Sequence, residues 1–148
     1  MLNTTLANLY EKDLRILIDE VIQFKSEDNL WKTVGSIKNP AGNLALHITG
    51  GLNHFFGAAL ANTGYVRNRD QEFSKKGVGK NDLVAGLEQV IPVVTHTLHA
   101  LTQKELEAEY PLIFDGEKKT TLFIVVRMYA HLSYHLGQVN YLRRMLEP

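Results

Sequence analysis

The sequence contains no cysteine, so the chain can form no disulfide bond and can offer neither a thiolate metal ligand nor a cysteine nucleophile. It also has no formal net charge, because 16 lysine and arginine residues balance 16 aspartate and glutamate residues. A neutral chain without a basic stripe is a poor match for nucleic acid, whose binding depends on positive charge. We therefore expect no nucleic-acid partner.

Long apolar segments are missing as well. No run approaches the roughly 20 apolar residues that span a bilayer, and the first residues, MLNTTLANLYEKDLRIL, carry charges within their apolar pattern, unlike a signal peptide. We expect a soluble cytoplasmic protein that does not enter a membrane. With 148 residues, 45% of them hydrophobic, residues 1–148 are expected to form a single domain around one core.

Hydrophobic periodicity predicts four helical segments, at residues 4–25, 41–62, about 82–101 and about 121 almost to the C-terminus. Residues 64–80 are polar and show neither a helical nor a strand period, which predicts a surface loop that can serve as a rim or a lid. Asp115 and Gly116 are compatible with a short hairpin between the third and fourth helices. These patterns favour an all-α fold, a four-helix bundle.

The stretch HLSYHLGQ in the fourth helix places polar residues where a bundle is expected to bury apolar ones. At 100° per residue, His131, His135 and Gln138 share one stripe with apolar residues, which predicts that all three face the core. Burying such groups without partners costs about 1–3 kcal/mol each. Histidines four residues apart lie on one side of a helix and can bind one metal ion, although a hydrogen-bonded core pair is the alternative.

Four further histidines are candidates for a third ligand. His96 and His99 lie opposite the leucine stripe of the third helix, which predicts surface positions. His47 and His54 share a face of the second helix but lie about 10 Å apart along it, so only one of them can complete the site. The pattern of residues leaves the choice between them open.

Small and amide residues surround the two candidate ligand regions. Gly50 and Gly51 weaken the second helix by about 1 kcal/mol each, which indicates a need for space. The space can admit a closely packed neighbour or form a cavity above a metal ion. Asn43, one turn before His47, and Gln138 can orient a ligand or an imidazole, or they can be hydrogen-bonded amides of the core.

Three segments resemble the DinB-like superfamily of small bacterial four-helix bundles: GNLALHITGGLNHFF, AEYPLIF and HLSYHLGQVNYLRRML. The resemblance covers nearly the whole chain. It implies a divalent metal such as nickel or zinc, held by one histidine of the second helix and two of the fourth. Matched by motif, these are His47, His131 and His135, which leaves His54 as a pocket residue.

The resemblance also suggests an activity, since characterised relatives include thiol-dependent S-transferases and a maleylpyruvate isomerase that use bacillithiol or mycothiol. We expect a metal-dependent enzyme that transfers a low-molecular-weight thiol to a small-molecule electrophile, or catalyses metal-assisted hydrolysis. A non-catalytic metal- or ligand-binding stress protein is the alternative, and a plain interaction bundle is a third. Relatives often form homodimers, for which Trp31, Phe55 and Phe56 can supply an interface or equally belong to the core.

Overall fold

The computed structural model describes residues 1–148 and contains six α-helices. They are α1 Leu2–Gln23, α2 Ala41–Leu52, α3 Arg69–Ser74, α4 Lys80–Ala100, α5 Gln103–Glu107 and α6 Thr121–Leu146. A 3-10 turn, Glu27–Trp31, follows α1, and a π-helical segment, Asn53–Ala58, continues α2 without a break. None of these helices combines the length and the apolar character that crossing a membrane requires.

The four long helices α1, α2, α4 and α6 form a bundle. Both α1 and α2 pack against α4 and α6, so α1 and α2 lie diagonally across the bundle and α2 is a neighbour of α6. A single core of 28 buried apolar residues fills the space between them, with Tyr10, Leu87 and Val125 among its fully buried members. The predicted all-α fold and four-helix bundle are confirmed. The adjacency of α2 and α6 is the feature that positions the candidate site.

The structure corrects the prediction that residues 64–80 form a loop without a helix. The short helix α3 lies in this segment and packs against α2. The side chain of Asn68 caps it by accepting a hydrogen bond from the backbone N–H of Gln71 at 3.2 Å. Six residues make fewer than two helical turns, too few for a hydrophobic period to be visible in the sequence. For the same reason α5, with five residues, is absent from the prediction.

The segment between α5 and α6 is a hairpin-like loop rather than a strand pair. It contains two isolated antiparallel bridges, Glu109 with Thr120 and Phe114 with Glu117, and Asp115 and Gly116 form its tip with positive φ. The predicted turn is therefore present, but no β-ladder extends from it. The hydroxyl of Tyr110 donates to the carbonyl oxygen of Phe55 at 2.8 Å and fastens this loop to the π-helical segment.

Polar side chains also connect α1 to α6. Ser133 donates to Asp13 at 2.7 Å, and Glu20 accepts hydrogen bonds from Asn140 at 2.7 Å and Arg143 at 2.6 Å. Ser133 is thus engaged with a carboxylate of α1 and forms no catalytic pair with the neighbouring histidines.

Candidate metal centre

Three imidazole rings from α2 and α6 converge between these helices. Nε2 of His131 lies 3.1 Å from Nε2 of His47 and 3.0 Å from Nε2 of His135. The ligand nitrogens of all three lie within 4.8 Å of one another. The ring planes are close to perpendicular, at 76° to 86°, so the three nitrogens point inward from different directions.

The other ring nitrogens of two of these histidines are held by hydrogen bonds. Nδ1 of His47 donates to Oε1 of Glu72 at 2.9 Å, and Nδ1 of His135 donates to Oε1 of Gln138 at 2.7 Å. With the proton on Nδ1, the neutral ring presents a lone pair at Nε2. Both lone pairs are directed at the same point beside His131.

This arrangement fits a metal ion. Lone pairs that face each other at about 3 Å repel unless a proton or a cation lies between them. Nitrogens bound to one ion at about 2.0–2.1 Å, with angles of 90° to 109°, lie about 2.8–3.4 Å apart. The separations of Nε2 of His131 from Nε2 of His47 and of His135, 3.1 and 3.0 Å, fall in this interval. Histidines that bind a metal ion usually donate a hydrogen bond from the other ring nitrogen, as His47 does to Glu72 and His135 does to Gln138.

The electrostatic environment favours neutral rings at His131 and His135. Burial, followed by the neighbouring His135 and His47, lowers the pKa of His131 to about 4. Burial also lowers the pKa of His135, although its hydrogen bond to Gln138 opposes the shift. Metal ions bind the unprotonated imidazole, so near neutral pH no proton has to leave His131 first.

Glu72 of α3 is the residue that sequence reasoning missed. Its buried carboxylate accepts from His47 and from two nitrogens of Arg67, at 2.8 and 2.9 Å. Burial raises the pKa of Glu72, but the hydrogen bonds from His47 and Arg67 outweigh burial and keep the pKa below its ordinary value. A carboxylate between an imidazole and a guanidinium therefore orients His47.

Gly50 explains how this carboxylate reaches α2. A Cβ at position 50 would lie 2.1 Å from Oε2 of Glu72, and a Cβ at Gly51 would lie 3.4 Å from Nη2 of Arg67. The space indicated by the two glycines is therefore occupied largely by the side chains of Glu72 and Arg67. The glycine pair was the one sequence signal for these two residues, since nothing in the polar segment 64–80 distinguished them.

The two predicted amides contact different parts of the site. Gln138 touches His135 directly. Asn43 is fully buried but contacts no imidazole; its Nδ2 donates to the backbone carbonyls of Glu72 and Lys75 at 2.9 and 2.8 Å. Asn43 therefore fastens the end of α3 to α2 and holds the segment that carries Glu72.

The remaining histidines lie outside the cluster. His54 is half-buried in the π-helical segment beside Phe55, and the convergent group does not include it. Burial, followed by the charge of Arg67, lowers the pKa of His54. His96 and His99 are exposed on α4, as predicted. Among the aromatic candidates for an interface, Phe56 is buried, and Trp31 and Phe55 pack against the core.

The structure corrects the expected orientation of α6. The centre of its buried face is formed by Val125, Leu132 and Val139, each with an exposure of 0%. His131 and His135 are half-buried because they lie about 100° and about 60° around the helix from Leu132, on the same side of it. The polar stripe thus lies at the edge of the core, where ligands can reach it.

Two cavities open onto this edge, one on each side of the cluster. The larger, about 710 Å³, borders His135 and Gln138 and is lined mainly by apolar side chains. The smaller, about 340 Å³, borders His47 and His131 and contains three arginines, Arg67, Arg69 and Arg127. The three histidines therefore stand between an apolar space and a cationic one.

A four-helix bundle with three convergent histidines defines this molecule as a helical protein with a candidate metal centre. The chain belongs to the family described as "Protein of unknown function (DUF1572)", whose sequence model matches residues 2–148. No curated protein is significantly similar to the chain.

Two crystal structures have the same fold. One is a DinB-like protein from Bacillus cereus, with 16% identity, a TM-score of 0.70, and coverage of 90% of this chain and 85% of the other. The second is a DinB-like protein from Bacillus subtilis, with 17% identity, a TM-score of 0.71, and coverage of 97% and 93%. At these identities the likeness establishes the fold, which this chain shares with two proteins described as DinB-like.

Proposed function

We propose that the protein is a divalent-metal-dependent enzyme that transfers a small thiol to a small electrophile. The observation that carries the proposal is the convergence of three Nε2 atoms, two of them with their tautomer set by Glu72 and Gln138. Three neutral imidazoles leave coordination positions open, which is typical of catalytic rather than closed structural sites. Imidazole ligands are compatible with zinc and with nickel.

The chain's own residues would bind, orient and shield the reactants. When bound, a divalent ion favours the deprotonated form of a coordinated thiol. The chain has no cysteine, so the sulfur must come from a small molecule. In the transfer the thiol loses its proton, its sulfur forms a bond to an electrophilic carbon, and the leaving group departs with the bonding electron pair. The apolar cavity beside His135 offers room for the electrophile.

Metal analysis tests the site itself. The purified protein is expected to hold about one divalent ion per chain, and His47→Ala, His131→Ala and His135→Ala are each expected to lose most of it. His96→Ala and His99→Ala are matched controls, because both side chains are exposed and remote from the cluster. Metal content that is unchanged in all three cluster variants would rule out the site.

An assay of conjugation separates an enzyme from the alternative, a metal- or ligand-binding stress protein without catalysis. Metal-loaded protein is incubated with several small thiols, including bacillithiol and mycothiol, and with chloro- and epoxide-type electrophiles, and products are detected by mass spectrometry. Turnover that disappears in His131→Ala supports the enzyme. Loaded protein that remains inert across the panel favours the binding protein.

We also propose that the protein is a homodimer. The support is an exposed apolar stripe along α6, stepping by three and four residues, whose last four members also border the apolar cavity: Phe123, Val126, Ala130, Tyr134, Gly137, Tyr141 and Met145. Light scattering of the wild type should give twice the mass of one chain, and Phe123→Glu should reduce it. Ile22→Glu, at an exposed position on α1, is the control. A wild type of monomeric mass would refute the dimer.

A further inference from the structure

The smaller cavity is lined by several arginines, and binding of a metal ion by the three histidines does not require them. The residues that line it include three arginines, Arg67, Arg69 and Arg127, and one acidic residue, Asp115 at the tip of the hairpin-like loop. The cavity has a volume of about 340 Å³ and borders His47 and His131 directly. This is at the lower end of the range for small-molecule pockets, about 300–1,000 Å³.

The three arginines differ in how far their charge is already neutralised. Arg67 is paired with the buried carboxylate of Glu72. Arg69 stacks on the ring of Phe73 at 5.2 Å, and neither it nor Arg127 takes part in an ion pair. Arg69 and Arg127 are therefore the two cations of this cavity that no carboxylate of the chain neutralises through an ion pair.

Arg127 has the position that matters most for a ligand of the histidine cluster. It precedes His131 by four residues on α6, so the two side chains arise on the same side of the helix, about 6 Å apart along its axis. The side chain of Arg127 is exposed and forms no ion pair, so its five donors remain available. A guanidinium matches the planar geometry of a carboxylate.

From these observations we propose that the cationic cavity binds the carboxylate of a small acid through Arg127, with the other end of the acid directed at the three histidines. The guanidinium of Arg127 has no ion-pair partner in the chain, and its planar donors match the two oxygens of a carboxylate. The identification of this acid as the thiol substrate rests on the proposed function. Under that function, the thiol would carry a carboxylate a few atoms from its sulfur. The apolar cavity on the far side of the cluster remains for the electrophile.

Three thiols of similar size and different charge test the assignment: mercaptoacetate, 2-mercaptoethanol and cysteamine. Their dissociation constants are measured by NMR titration of the zinc-loaded protein, following the arginine Nε–Hε signals. The wild type is expected to bind the anion at least about tenfold more tightly than the neutral thiol, and the cation most weakly. Glycolate, which has the carboxylate but no sulfur, is titrated in parallel, and the cobalt-loaded protein reports sulfur–metal contact by its thiolate absorption.

Arg127→Gln should remove the preference for the anion, and Arg127→Lys should retain part of it because the charge remains. Arg144→Gln is the matched control, since this arginine is also exposed on α6 but lies against Tyr141, outside the cationic cavity. The affinity of each variant for zinc is measured separately, so that any change at the metal is distinguished from a change at the carboxylate.

The outcomes separate this inference from the proposed function. A preference for mercaptoacetate that is lost in Arg127→Gln and kept in Arg144→Gln supports the carboxylate site. Equal affinities for the three thiols, or a preference that Arg127→Gln leaves intact, overturn it even if all of them contact the metal. Binding of glycolate that depends on Arg127, without thiolate absorption for any thiol, supports the carboxylate site and counts against thiol transfer.

Discussion

The carboxylate of Glu72 occupies the space that a side chain at position 50 would need. A Cβ on Gly50 would lie 2.1 Å from Oε2 and 2.7 Å from Cδ of Glu72, closer than such atoms approach in proteins. The same carboxylate accepts a hydrogen bond from Nδ1 of His47. The absence of a side chain at position 50 therefore allows Glu72 to reach the imidazole of His47. The glycine therefore belongs to the site, although it touches no ligand nitrogen.

Gly50→Ala should weaken metal binding by about 10- to 100-fold, because the new methyl group displaces Glu72 and releases Nδ1 of His47. The strain of overpacking, about 1–3 kcal/mol, is offset in part by the better helix propensity of alanine, about 1 kcal/mol. The free energy of unfolding should therefore fall by up to about 2 kcal/mol, and metal affinity, measured by competition with a chelator, should fall clearly.

Gly137→Ala is the matched control for this variant. Gly137 is also a glycine of a long helix, but a Cβ there would meet nothing within 4 Å. This change should stabilise α6 by up to about 1 kcal/mol and leave metal affinity unaltered. Equal metal affinities of Gly50→Ala and the wild type would contradict the role assigned to Glu72.

Glu72→Gln tests the charge of the outer partner directly. Glutamine retains the size of the side chain but leaves Arg67 without its counter-ion in a nearly buried position, 14% exposed. We expect a loss of about 1–3 kcal/mol in the free energy of unfolding, from urea denaturation, and a metal affinity about tenfold lower or more. Glu109→Gln, which breaks only the exposed pair with Lys118, should change both quantities little.

The buried carboxylate of Glu20 should make stability depend on acid. Burial raises its pKa, but hydrogen bonds from Arg143 and Asn140 outweigh burial, so the folded-state pKa lies below its ordinary value of 4.5. A carboxylate whose pKa is lower in the folded state than in the unfolded state raises the free energy of unfolding. This contribution is fully present above the unfolded-state pKa and is lost as pH falls through the folded-state pKa. Glu20 should thus stabilise the fold at neutral pH and cease to do so in acid.

Glu20→Gln should therefore be less stable than the wild type at pH 7, by about 1–3 kcal/mol, and the difference should shrink as the pH falls below 4.5 and through the lower folded-state pKa. Urea denaturation at several pH values measures the difference. The exposed Glu88 provides the control, Glu88→Gln, for which no such pH-dependent gap is expected. A gap for Glu20→Gln that stays constant between pH 7 and pH 3 would count against the ion pair.

Removal of metal should lower the thermal stability of the wild type. A ligand that binds only the folded state adds about 2.7 kcal/mol when its free concentration is 100 times its Kd. Differential scanning calorimetry should show a higher Tm after zinc is added. After EDTA removes the zinc, the Tm should fall back to the value of the metal-free protein. His135→Ala should show no such shift, whereas His99→Ala should behave as the wild type; a shift retained in His135→Ala would place the ion elsewhere.

Much of the bundle was predictable from local pattern. Apolar residues at steps of three and four located the long helices to within a few residues, and the histidine pair on α6 followed from its spacing alone. The predicted ligands His131 and His135 do lie next to each other in space. Short helices were not predictable, because α3 and α5 are too short to show a period and are defined by their caps and by packing.

The sequence by itself determined which faces of the long helices are apolar, the presence of HxxxH on one helix, and the absence of any thiol from the chain. Only the tertiary structure decided that α2 lies beside α6, that Glu72 and Arg67 reach His47 through the gap at Gly50, and that the histidines border two cavities of different character. The physical reason is range. Helix periodicity depends on neighbours within about four residues, whereas the contact between Glu72 and His47 spans 25 residues and depends on how α3 packs against α2.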